Sequence, residues 1–133
     1  MKIALIAAID EENGIGRNNE LLCHLPADMR RFKQLTTGHT VVMGRKTFDS
    51  LPNGALPNRK NIVLTRDKDF VAENIDIINN VEVVFELCKD QELVFIIGGG
   101  QIYKLFMQYA DILYITRIHH SFHADTFFPE IDP

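Results

Sequence analysis

The residues best equipped for chemistry are concentrated between positions 14 and 35. A glycine-bearing polar loop, Gly14-Ile-Gly-Arg-Asn-Asn19, runs past Cys23 and His24 into Leu25-Pro26, and a segment of helical periodicity follows. Proline is pre-shaped for the first position of a helix, so the spacing predicts a helix from there. At about 100° per residue, Leu25, Met29, Phe32, Leu35 and Thr36 share one face, and Arg30, Lys33 and Gln34 point elsewhere. Asp28 falls inside the apolar arc, between Phe32 and Leu35 in angle. An unpaired buried carboxylate is costly. Two readings are open: a first-turn acid favoured by the helix dipole, or a carboxylate held in an apolar cleft to bind or protonate a ligand.

Three strand-to-helix turns have the composition of ligand-binding loops. Met43-Gly44-Arg45-Lys46-Thr47 brings a small residue, two cations and a hydroxyl to a helix start, a combination suited to an anion. It is not a Walker A loop, because the separation of Gly38 from Gly44 is wrong and Arg45 precedes Lys46. Thr65-Arg66 closes a strand with a hydroxyl beside a guanidinium, which suits a phosphate monoester. Ile97 leads into Gly98-Gly99-Gly100 and a further helix, where a dinucleotide can approach the main chain. The Gly-x-Gly-x-x-Gly fingerprint is absent. Ligands of open α/β sheets bind at the carboxyl ends of strands, so three such turns together outweigh any one. His119, His120 and His123 are better read as a solvated turn than as a metal cluster, since no acid or thiol pattern accompanies them. No metal site is expected. Cys23 beside His24 is a poor nucleophile-base pair, because neighbours on a loop rarely face one another.

Positioning these residues falls to an alternation of strands and short helices. Residues 2–9 are apolar on both faces, as in a covered parallel strand. Further strands are expected at 40–43, 61–65, 75–78, 93–97 and 111–118, with helices at 44–48, 81–89 (capped by Asn80) and 101–109. Residues 14–24, 51–60 and everything beyond 118 read as loop. The pattern predicts one α/β domain with a central, mostly parallel twisted sheet flanked by short helices. A chain of 133 residues, 46% hydrophobic and 24% charged, suffices for one core. The net charge of −4 argues against a dedicated nucleic-acid binder. No run reaches the ~18 apolar residues of a membrane span. Two cysteines make no disulfide framework and suggest a reducing, cytoplasmic setting.

Taken together, six segments resemble dihydrofolate reductase of the bacterial chromosomal type. They are Gly14–Asn19, Leu25–Phe32, Val42–Phe48, Leu56–Ile62, Ile96–Tyr103 and Asp125-Thr-Phe-Phe-Pro129, in the family's order and across nearly the whole chain. The resemblance implies NADPH-dependent reduction of 7,8-dihydrofolate to tetrahydrofolate, in one-carbon metabolism. It makes Asp28 the acid of the pterin pocket and Thr116 the hydroxyl bonded to it. Ile6, Ala7, Met29, Phe32, Leu56 and Ile97 become the apolar walls, and Arg59 the partner of the substrate's glutamate carboxylate. Ala8, Ile15 and Asn19 take the nicotinamide end of the cofactor. Gly44, Arg45, Lys46 and Thr47, with Gly99, Gly100, Gln101 and Ile102, form the pyrophosphate cradle; Arg45, Thr65 and Arg66 meet the 2′-phosphate. Residues 14–24 match a mobile loop over the nicotinamide, and Asp125 an acid bonded to it.

Three departures accompany the resemblance. Cys23 stands where many relatives carry Trp, and a thiol is a weaker donor. Gln101 replaces a basic residue of several relatives, which leaves the cofactor phosphates more dependent on Arg45 and Arg66. The family pattern continues for about two strands past Phe-Phe-Pro, beside residues 111–118, so a domain truncated at its C-terminus is expected. The implied ligands are dihydrofolate and antifolates, with neither nucleic acid nor membrane, and the state a monomer if the full C-terminus is present. The rival readings are a folate- or nucleotide-binding fragment of little activity and a pyrimidine reductase of riboflavin synthesis. Asp28 together with Arg59 argues against the latter, whose substrate has no glutamyl tail.

Overall fold

The structure is a computed structural model that describes residues 1–17, 20–21, 26–118 and 123–131, with the backbone alone at 17, 20, 21, 26 and 28. In chain order the elements are β1 (Lys2–Ile9), β2 (Gly14–Arg17), β3 (Glu20–Leu21), α1 (Pro26–Thr36), β4 (Thr40–Gly44), α2 (Arg45–Ser50) and β5 (Lys60–Leu64). They continue with β6 (Ile75–Ile78), α3 (Val81–Leu87), β7 (Leu93–Gly98), α4 (Gly100–Phe106), a 3₁₀ turn (Met107–Tyr109), β8 (Ile112–Arg117) and β9 (Thr126–Phe127).

Six strands form one parallel sheet in the order β6-β5-β4-β7-β1-β8. Parallel neighbours need crossover connections that cover the faces, and the strands are accordingly apolar on both sides. Alternate residues of β1 enter different layers. Ile3, Leu5 and Ile9 join Val84, Phe106 and Tyr103 on one face; Ala4 joins Val41, Met43, Val63 and Phe95 on the other, with Ile6 packed against that group. Asp111 locks the start of the β1–β8 pair, its carboxylate accepting from Ile3 N–H at 2.9 Å while its own N–H donates to the Ile3 carbonyl at 2.8 Å. Asn80 caps α3 as expected, accepting from Val83 N–H at 3.1 Å.

A second, three-stranded sheet, β3-β2-β9, corrects the reading of 14–24 and of the chain beyond 118 as loop. Its anchor is Asp10, buried at 3% exposure, whose Oδ1 accepts from Glu12 N–H at 2.8 Å and Gly14 N–H at 2.7 Å. Only glycine fits at 14: a Cβ there would lie 2.5 Å from Ala124 Cβ and 2.7 Å from Asp10 Oδ2. Phe128 N–H then donates to the Asn13 carbonyl at 2.7 Å, closing the corner. No described helix is long and apolar enough to cross a membrane.

Candidate active site

The sheet order creates a crevice. From β4 the chain passes outward to β5, and from its neighbour β7 it passes the other way, beyond β1, to β8. Adjacent strands whose connections diverge leave an opening at their carboxyl ends, where open α/β sheets take ligands. The glycine turns predicted from the sequence meet there. Met43 pairs with Gly98, and the positions a Cβ would take at Gly98 and Gly99 both lie 3.5 Å from Thr47 Oγ1. A Cβ at Gly44 would meet Ile102 Cγ1 at 2.9 Å, so a side chain of the helix after one turn packs onto the other turn where glycine leaves the room. Ile102 is thereby placed in the core at 8% exposure, and its side chain supports the cradle instead of facing into it. Gln101 is exposed. With 6 residues in α2 and 7 in α4, helix dipoles contribute little here; main-chain N–H groups and nearby cations carry the affinity for an anion.

Of those cations, Arg45 is already engaged. Its Nη1 donates to Asp67, its Nε lies 3.6 Å from Asp49, and its guanidinium sits 4.7 Å from the Phe70 ring centroid. Lys46 and Arg66 are exposed, and Thr65 Oγ1 accepts from Asp67 N–H at 3.2 Å.

The apolar residues divide. Ile6, Leu56 and Ile97 are half-buried in one layer, with Leu35 of α1 beside them. Ala7 packs in the opposite layer, as its odd position in β1 dictates, and Ile15 is buried there at 8% exposure. Ala8 pairs with Thr116 across β1 and β8. On α1 the apolar face holds at its end, where Thr36 is fully buried, but Met29 is 53% exposed. The burial that helical periodicity predicts for Met29 is therefore not met among the described residues. The Asp28 carboxylate, Asn19, Cys23 and His24 lie outside the described residues, as do His119 and His120.

At the far end of α1 stands Arg59. Its Nε donates to the Pro57 carbonyl and its Nη1 to Thr36 Oγ1, both at 2.9 Å, and its guanidinium lies 5.9 Å from the Phe32 ring centroid. Burial lowers its pKa from the ordinary value, and no described acid forms an ion pair with it. A cavity of about 450 Å³ opens nearby, at the amino ends of β4, β5 and β7, lined by His39, Thr40, Lys60 and Gln91 among others. Arg59 itself lines it, Thr40 is paired with Gln91 and Lys60 with Asp76, and it lies at the opposite end of the sheet from the glycine turns.

Sequence reasoning missed two contributors. Tyr103, on α4, donates its hydroxyl to the Ile6 carbonyl at 2.7 Å and so ties the third turn to β1. Asn61, buried at 3% exposure, braces the loop of Arg59. A polar residue opening an otherwise apolar strand was the available signal for Asn61.

The arrangement is that of a dinucleotide-dependent α/β enzyme with a separate cationic corner at Arg59. The sequence model described as Dihydrofolate reductase matches residues 2–133, and the chain belongs to that family. It is 43% identical over 132 residues to the dihydrofolate reductase of Staphylococcus haemolyticus, covering 99% of this chain and 79% of the relative. To that of Bacillus subtilis (strain 168) it is 45% identical over 130 residues, covering 98% and 77%. Among solved structures, a dihydrofolate reductase from Enterococcus faecalis complexed with NADP(H) and RAB-propyl superposes with a TM-score of 0.92 at 41% identity, over 98% of this chain and 79% of that one.

Proposed function

We propose that the protein reduces 7,8-dihydrofolate to 5,6,7,8-tetrahydrofolate with NADPH, as a cytoplasmic enzyme of one-carbon metabolism and an antifolate target. The reading is supported above all by the abutting glycine turns at the divergence of β4 and β7, in a chain that matches the family over residues 2–133. Bound NADPH supplies the hydride. Gly44, Lys46 and Thr47, with Gly99, Gly100, Gln101 and the main chain at Ile102, hold the pyrophosphate; Arg45, Thr65 and Arg66 hold the 2′-phosphate, and Ala8, Ile15 and Asn19 the nicotinamide end.

Helix α1 measures out the substrate. At about 1.5 Å per residue, Asp28 near its start and Thr36 at its end lie about 12 Å apart along the axis. Asp28 grips the pterin ring and favours its protonation, with Thr116 holding the carboxylate, because an anion in an apolar cleft stabilises the cation that accepts hydride best. Ile6, Met29, Phe32, Leu56 and Ile97 wall the rings, their residual exposure being what a ligand covers, and Ala7, whose side chain belongs to the other layer, would meet them through its main chain. Arg59 binds the glutamate carboxylate through its planar fork. NADPH oxidation followed by absorbance with and without dihydrofolate is the test. Oxidation with dihydrofolate alone is expected; turnover of an aminopyrimidine instead, or binding without turnover, would overturn the reading.

A further inference from the structure

We propose that Asn61 is a positioning residue for substrate binding, holding Arg59 in place for the carboxylate of the glutamyl tail. The inference rests on the reading of Arg59 as the tail clamp. Asn61 uses its side chain as a short strand would use its backbone. Its Oδ1 accepts from Leu56 N–H at 2.9 Å, and its Nδ2 donates to the Leu56 carbonyl at 2.9 Å and the Arg59 carbonyl at 3.0 Å. Both amide donors are therefore spent on the main chain of one loop.

That loop would not hold itself. Asn58 has a left-handed backbone (φ 60°), and Pro57 has no N–H to give. Besides Asn61, the outside contacts on it come from the turn after α1, where Gly38 N–H donates to the Asn58 carbonyl at 2.8 Å and Lys60 N–H to the His39 carbonyl at 3.2 Å. The Arg59 side chain has its own two supports, Pro57 within the loop and Thr36 at the end of α1, and Thr36 Oγ1 itself donates to the Phe32 carbonyl at 2.7 Å. Nε and Nη1 are thus fixed by neutral oxygens, and Nη2 has no hydrogen-bond partner among the described residues. The result is a partly desolvated cation, fixed in place and not neutralised by any described acid. Fixing the guanidinium in advance removes an ordering cost from binding, and Asn61 is the side chain that fixes its backbone.

The test compares Asn61→Ala with the parent enzyme at saturating NADPH, using dihydrofolate and dihydropteroate, which lacks the glutamate. The expected result is KM for dihydrofolate raised about tenfold, with kcat and KM for NADPH within about twofold of the parent, and KM for dihydropteroate, which loses only what a displaced Leu56 costs it, raised no more than about threefold. In an Arg59→Ala background the further loss should vanish, because the two residues act as a unit. Should Asn61→Ala fail to melt cooperatively in urea, Asn61→Ser, which keeps one donor and one acceptor, carries the same comparison. Equal loss on both substrates, no loss on either, or full additivity with Arg59→Ala would overturn the proposal. If Arg59→Ala itself fails to distinguish the two substrates, the tail clamp falls with it; if only Asn61 fails to, the clamp stands.

Discussion

The hydroxyl of Tyr103 donates to the carbonyl of Ile6 at 2.7 Å, joining the helix that follows the glycine turn to the strand that floors the crevice. The ring also packs at 54° against Phe128, 4.8 Å between centroids, so one side chain connects the cofactor turn, β1 and the segment after β9. Tyr103→Phe keeps the ring contact and removes the bond. It should cost about 1 kcal/mol of stability in urea and raise KM for NADPH and dihydrofolate together. A rise in one alone would show that the bond serves a single ligand.

Asp28→Asn should leave the fold intact and lower kcat near neutral pH by about a hundredfold or more, the scale of a lost acid-base group. The deficit should shrink as pH falls, since solvent then protonates the substrate. Parent-like turnover near neutrality would remove Asp28 from the mechanism.

Arg45 is hydrogen-bonded to Asp67 and ion-paired with Asp49, so meeting the 2′-phosphate as proposed would exchange a carboxylate for a phosphate. Replacing Arg45 and Arg66 together with alanine should lower the ratio of kcat/KM for NADPH over NADH by about ten- to a hundredfold. Asp67→Asn should shift the same ratio upward, by removing the competing anion. An unchanged ratio in the double variant would put the 2′-phosphate elsewhere.

Cys88 is fully buried, and desolvation raises its thiol pKa above the ordinary 9.0, outweighing the neighbouring Lys60. The unfolded chain therefore loses this proton at lower pH than the folded one. The contribution to stability is complete below the unfolded pKa and declines as pH rises towards the folded value. Between about pH 8 and about pH 10 the urea midpoint should fall less steeply for Cys88→Ala than for the parent. Parallel slopes would contradict this.

How much of this was legible in the sequence depended on whether the physics was local. Strands such as 2–9 and 93–97 declare themselves by apolar residues on both faces, and Asn80 by its place before an apolar helix. Gly14-Ile-Gly-Arg has no alternation to read; it becomes a strand because Thr126 and Phe127 lie beside it. Met29 follows helical periodicity faithfully, yet the described residues leave about half of it exposed, at 53%. The glycine turns were readable as turns, but that those of β4 and β7 abut is a property of strand order. Arg59 stood out by its type, while Asn61 acquires meaning only when Leu56 and Arg59 come within hydrogen-bond reach.

The strand order also sets a schedule. β1 lies between β7 and β8, and Lys2 finds its partner at Leu93, Ala4 at Ile112. During synthesis the strand made first must wait, unpaired and apolar, while β4, β5 and β6, neighbours in sequence as in space, can already assemble. Such delayed closure makes parallel sheets slow to form and exposes sticky surface meanwhile. Until β7 emerges, β1 has neither of its neighbours, and the crevice it floors is therefore among the last parts of the sheet to take shape.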